Sequence, residues 1–152
     1  MIDASIQTLM GAIGALGFAI VVNVRGKRLF FSFLGGLVGW GVYCLADIWL
    51  EHEALLYLIA TTALTLYAEL MARILRCPST VMLVTGWIPL IPGGALYRTI
   101  HALVSGEFEL FVHRTLDTML LMIAMSAGVL LAMTVIHMIC LIHSAIRKKS
   151  RA

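Results

Sequence analysis

The chain has 152 residues, 61% hydrophobic and 12% charged, with a mean hydropathy of +1.00. Soluble domains carry about twice that charge fraction. The composition therefore excludes a soluble enzyme domain and points to an all-α polytopic membrane protein, one domain with about five transmembrane helices of roughly twenty residues each. The net charge of +3 gathers at span ends rather than in a patch interleaved with aromatics, which excludes nucleic acid as a partner.

The first apolar segment covers residues 2–24. It has no positive n-region and is too long for a signal-peptide core, so it is expected to remain as a span. The second, 29–50, carries Gly35 and Gly39, a small-xxx-small pair of the kind that lets helices approach where lipid gives no hydrophobic drive for association. The third, 54–75, sets Thr62, Thr65, Glu69, Arg73 and Arg76 on one helical stripe. Glu69 precedes Arg73 by four residues, the better orientation for pairing. Arg73 and Arg76 can snorkel to the interface, but Glu69 lies about one turn deeper. A charge at the bilayer centre costs roughly 2.5–3.5 kcal/mol, so Glu69 should pair or face a cavity. An ion pair anchoring the span and a role in proton or substrate coupling are both open.

The fourth span, 81–104, is broken at Pro89–Gly94. Pro89 and Pro92 remove two donors and obstruct the preceding turn, and Gly93 and Gly94 let the chain leave helical geometry. Broken backbone at membrane depth survives where protein buries it or water lines it, and transporters place substrate sites at such interruptions. Arg98 follows by one turn, flanked by Tyr97 and His101. Its guanidinium suits a bidentate carboxylate contact, and a helix restarting near Gly94 would aim its positive end into the break. Pro89, Pro92, Gly93, Gly94, Tyr97 and Arg98 are thus expected to line a pathway for a small carboxylate-bearing molecule. Otherwise Arg98 snorkels outward or pairs with Asp47 or Glu51.

Residues 107–115 read as a short amphipathic interfacial segment, followed by the fifth span, 118–142. The methionines there suit flexible filling. His137, Cys140 and His143 are spaced by three, but His137 and His143 are poorly aligned on one helical face and no fourth ligand is evident, so no metal is expected. Cys44, Cys77 and Cys140 imply no disulfide framework. With no nucleophile–base pair, P-loop or nucleotide fingerprint, neither an enzyme nor a cofactor is expected. Nine of the eleven basic residues fall on one side: Arg25, Lys27 and Arg28, then Arg73 and Arg76, then Arg147, Lys148, Lys149 and Arg151. The positive-inside rule makes that side cytoplasmic, with the N-terminus out and the C-terminus in.

Two stretches resemble a known family. One is Gly17-Phe18-Ala19-Ile20-Val21-Val22-Asn23-Val24 with the Gly35-Gly36 span that follows. The other runs from Cys77-Pro78-Ser79-Thr80 to Ile88-Pro89-Leu90-Ile91-Pro92-Gly93-Gly94-Ala95-Leu96-Tyr97-Arg98-Thr99. Together they resemble the small subunit of the split threonine/serine exporters, equivalent to the C-terminal membrane domain of the fused ones. The resemblance implies export of threonine and serine, or of dicarboxylates such as succinate, from bacterial cytoplasm across the inner membrane. It also implies use of the proton gradient and a larger membrane subunit as partner. A non-transporting assembly scaffold and a homo-oligomeric channel are the competing readings.

Overall fold

The computed structural model describes residues 4–149, with side chains through Ile142. Asp3 and Arg151 lie outside them, as do the side chains of His143, Arg147, Lys148 and Lys149. The described chain is helical and contains no strand. Six α-helices follow one another: α1 (Ala4–Val21), α2 (Lys27–Asp47), α3 (Glu53–Leu75), α4 (Ser79–Trp87), α5 (Gly93–Val104) and α6 (Phe108–Lys149), with a 3₁₀ turn, Ile88–Leu90, after α4.

Three helices stop by one device. Asn23, Arg76 and Gly106 adopt left-handed φ values of 60°, 49° and 77°. The next amide in each case reaches back five residues: Val24 N–H to Ala19 O at 2.9 Å, Cys77 N–H to Ala72 O at 3.0 Å, and Glu107 N–H to Ala102 O at 3.0 Å. These bonds satisfy carbonyls that the helix end would otherwise orphan. Pro78 then forbids α3 from continuing.

Contacts between helices fix the topology. α1 runs antiparallel to α2, with Gly36 against Ala12 and Ala15, and Gly41 against Thr8. α2 runs antiparallel to α3: the Tyr67 hydroxyl donates to Phe31 O at 2.8 Å, and Tyr43 meets Tyr57 at 5.1 Å between ring centroids. α4 runs parallel to α2, with Thr85 bonded to Ser32 at 3.0 Å, Gly86 beside Gly35, and Leu90 beside Gly39.

α6 runs parallel to α3. Thr62 reaches Gly128 O at 3.2 Å, and Arg73 reaches Cys140 at 3.1 Å. Since α3 and α6 start at one end of the bundle, the segment between them must travel its whole length. The bent pair α4–α5 is therefore a broken crossing and not a re-entrant loop. Among the described residues four helices are long and apolar enough to cross a membrane alone, and the bent pair taken as one span brings the number to five.

The helices begin and end within three residues of the expected spans wherever both are described, except around the last one. The segment 107–115 and the span 118–142 form one 42-residue helix from Phe108 to Lys149, about 63 Å long. Glu109, His113, Arg114 and Asp117 lower the local hydropathy, but no proline or positive-φ glycine interrupts the backbone. Charge marks a change of surroundings there, and not a helix end.

The core gathers Tyr57, Ala60 and Leu64 of α3, Leu90 of the 3₁₀ turn, and Leu121 and Met125 of α6, with Trp40 and Trp87 packed against it. Outer faces stay apolar, as at Val21 (78% exposed) and Val104 (82%). Such surfaces suit lipid or another membrane helix rather than water.

Candidate functional site

The helix pair around the break bends by 55°. From Ser79 to Leu90, and again from Gly93 to Val104, the chain rises roughly 18–20 Å, so the bend lies near the middle of the crossing. Ile91 N–H bonds to Ile88 O at 3.3 Å, and Gly93 N–H bonds to Ile91 O at 2.7 Å. The second bond closes an inverse γ-turn on Pro92 (φ −74°, ψ 60°). The two prolines carry no N–H, so few donors are stranded. α5 nevertheless starts without a side-chain cap. The indole N–H groups of Trp40 and Trp87 are buried without a partner among the described residues.

The expected pathway residues divide between several surroundings. Pro89 packs toward Gly11 of α1. Pro92 is buried and lines an apolar cavity of about 260 Å³ with Trp87, Ile91, Met122 and Met125. Gly93 and Gly94 are exposed. Tyr97, 68% exposed, stands over His101 with ring centroids 6.0 Å apart and shares a shallow cavity with Arg98 and Arg114. Arg98 is also drawn into a cleft of about 210 Å³ between the start of α3, α5 and the first half of α6.

That cleft is rich in polar and charged side chains. Arg98, Arg114, Glu53, Asp117, His52 and Thr118 all line it. The Arg98 guanidinium folds back toward its helix start, with Nη1 3.5 Å from where a Cβ on Gly94 would stand. Arg114 is placed through its backbone. Its carbonyl accepts from Thr118 at 2.8 Å and from Thr99 at 3.2 Å, and the two hydroxyls lie 3.0 Å apart. This buried threonine pair clamps α5 to α6 and so sets Arg98 and Arg114 about one opening. Asp117 meets His113 at 3.4 Å, both side chains more than half exposed. The cleft thus offers two guanidinium groups and two carboxylates, with no ion pair joining them across it among the described residues.

Arg114, Glu53 and Asp117 were not singled out by sequence reasoning. The one available signal was that Arg114 is the lone cation of an otherwise acidic stretch. Asp47 and Glu51, the expected alternatives for Arg98, do not line its cleft.

Glu69 is half-buried and within Coulombic reach of Arg73. The Arg73 guanidinium instead donates to the Cys140 sulfur at 3.1 Å, and no Glu69–Arg73 salt bridge forms. Gly35 and Gly39 face α4, but tighter approaches occur elsewhere. A Cβ at Gly36 would stand 2.7 Å from the Ala15 Cβ, one at Gly86 2.7 Å from Leu64, and one at Gly128 2.6 Å from Leu58 O. No group of three or more potential metal ligands occurs among the described residues.

Comparison with known proteins gives one match. A family model described as Threonine/Serine exporter, ThrE covers residues 7–135. No curated protein and no solved structure matches the chain. The matched stretch includes the bent crossing, the charged cleft and most of α6, and the chain belongs to the threonine/serine exporter family, ThrE.

Proposed function

We propose that the cleft between α3, α5 and α6 receives the exported solute, and that this solute is a zwitterionic amino acid such as threonine or serine. Arg98 and Arg114 take the carboxylate, and Glu53 and Asp117 take the ammonium. The observation that carries this reading is the presence of both charge signs, in equal number, around one opening of about 210 Å³. A dicarboxylate such as succinate would bring its second negative charge toward the same two acids, an arrangement that works against it. The broken crossing supplies the bend that opens the bundle beside the cleft. Glu69 is the proton-coupling group, and a larger membrane subunit of the same family covers the apolar flanks.

In this reading the chain sits in a bacterial inner membrane with its basic end in the cytoplasm. A cysteine at Glu107 then reacts with an impermeant maleimide in intact cells, and one at Lys27 does not. Labelling in the reverse order would overturn the orientation. The test of the site is threonine export from cells carrying the chain and its partner. A hydrogen bond to a charged group contributes about 1.5–3 kcal/mol, so Arg98→Gln should lower export on the order of tenfold or more at equal membrane abundance. Unchanged export would remove the cleft from the pathway.

A further inference from the structure

A second cavity, of about 360 Å³, lies at the opposite, basic end of the bundle. Asn23, Arg28 and Thr80 form its polar part, and Val22, Val81 and Val84 its apolar wall. The wall opens sideways: Val22 and Val84 are 46% and 45% exposed, on the flank that a membrane protein presents to acyl chains. The Arg25 guanidinium donates through Nε to Asn23 Oδ1 at 2.8 Å, which ties a second cation to a residue that lines the cavity.

The charge there is uncompensated. Among the described residues no carboxylate forms an ion pair with Arg25, Lys27 or Arg28. Glu69 is the one acid on the half of α3 nearest this end, and its charge is felt at Arg73. A cleft with an unpaired guanidinium at its head and valines along its side complements a molecule that is anionic at one end and apolar at the other. A free anion would meet the head but leave the valine wall unfilled. Basic pockets between membrane helices near the interface hold anionic lipid headgroups by this combination.

We propose that this cleft is a binding site for an anionic phospholipid. The headgroup phosphate sits on Arg28 beside Asn23 and Thr80, and an acyl chain lies along Val22, Val81 and Val84. The proposal rests on the membrane character of the chain and is independent of the solute cleft.

The test uses the full chain in mild detergent, offered phosphatidylglycerol or phosphatidylcholine, with retained lipid weighed by native mass spectrometry. Each surface-proximal basic residue contributes about 1 kcal/mol toward anionic lipid, so Arg28→Gln should lower phosphatidylglycerol retention about fivefold. Val84→Trp fills the wall without touching charge and should lower it as well. Arg76→Gln removes a charge at the same end but outside the cleft and should leave retention near that of the unaltered chain. Equal retention of the two lipids would overturn the proposal. So would an effect of Arg76→Gln as large as that of Arg28→Gln, or displacement of lipid by millimolar inorganic phosphate alone. If Arg28→Gln does not fold, unchanged retention in folded Val84→Trp decides against the site.

Discussion

Thr62 donates its hydroxyl to the Gly128 carbonyl at 3.2 Å, across a helix contact that leaves no space for a side chain at position 128. This contact, with Arg73 on Cys140 farther along, holds α6 parallel to α3. The parallel pairing makes α4–α5 a full crossing and brings Arg114 and Asp117 to the end where α3 begins.

The packing makes Gly128 far less tolerant than its neighbours in composition. An added Cβ would collide with the Thr61 hydroxyl and stand 2.6 Å from Leu58 O. Overpacking of this kind costs about 1–3 kcal/mol. Gly128→Ala should therefore lower the melting temperature of the purified protein in detergent. Gly17→Ala, where nothing lies within 4 Å, should leave it equal or slightly higher, since alanine is the better helix former. Equal melting of the two variants would contradict the α3–α6 contact.

The charge balance of the cleft makes a prediction about selectivity. Removing an acid should penalise a substrate ammonium and relieve repulsion of a second carboxylate. Glu53→Gln or Asp117→Asn should thus lower threonine export and raise succinate export relative to it. A shift of about tenfold corresponds to 1.4 kcal/mol, within the range for one charged hydrogen bond. Parallel losses for both solutes would mean that the acids support the fold and do not read the solute.

The crossings and the break were legible because their causes are local. Hydropathy over about twenty residues marks a span, and Pro92-Gly93 alters the backbone wherever it occurs. The cleft was not legible, because residues 52–54, 95–98 and 114–121 meet only once α3 and α6 are known to be parallel. Arg114 taken alone reads as a loop charge. The glycine pattern was half legible. Gly35 and Gly39 mark a packing face, but the partners that make Gly36, Gly86 and Gly128 the closest approaches lie on other helices. Continuity of α6 was hidden because charge and helix termination, which often coincide at a span end, separate here.

The bend should depend on Pro92. Alanine at 92 restores an N–H that can reach Ile88 O, which now accepts from Ile91. It also removes a helix penalty of about 3 kcal/mol. With Pro89→Ala, which removes the other proline's block on the preceding turn, and Gly93→Ala as well, α4 and α5 should straighten. Spin labels at Thr80 and Val104, in a cysteine-free background, should then move apart by roughly 4 Å, given two arms of about 18 Å bent by 55°. Threonine export should fall with the straightening. An unchanged distance would show that tertiary packing, and not proline, holds the bend. A longer distance with full export would show that transport does not need it.

Glu69 lies on the same helix as Glu53, sixteen residues along and so about 24 Å away, too far to touch a solute in the cleft. If its carboxyl carries the coupling proton, neutralising it should separate driving force from recognition. In vesicles containing the chain and the proposed partner subunit, Glu69→Gln should abolish threonine accumulation driven by an imposed pH gradient. Threonine–threonine exchange, which needs no net proton movement, should persist. Arg98→Gln should diminish both. A Glu69→Gln variant that still accumulates threonine in response to the gradient would place the proton elsewhere. One that loses exchange as well would make Glu69 a structural partner of the Arg73 and Cys140 contact, because only a coupling group can be removed without disturbing passage of the solute.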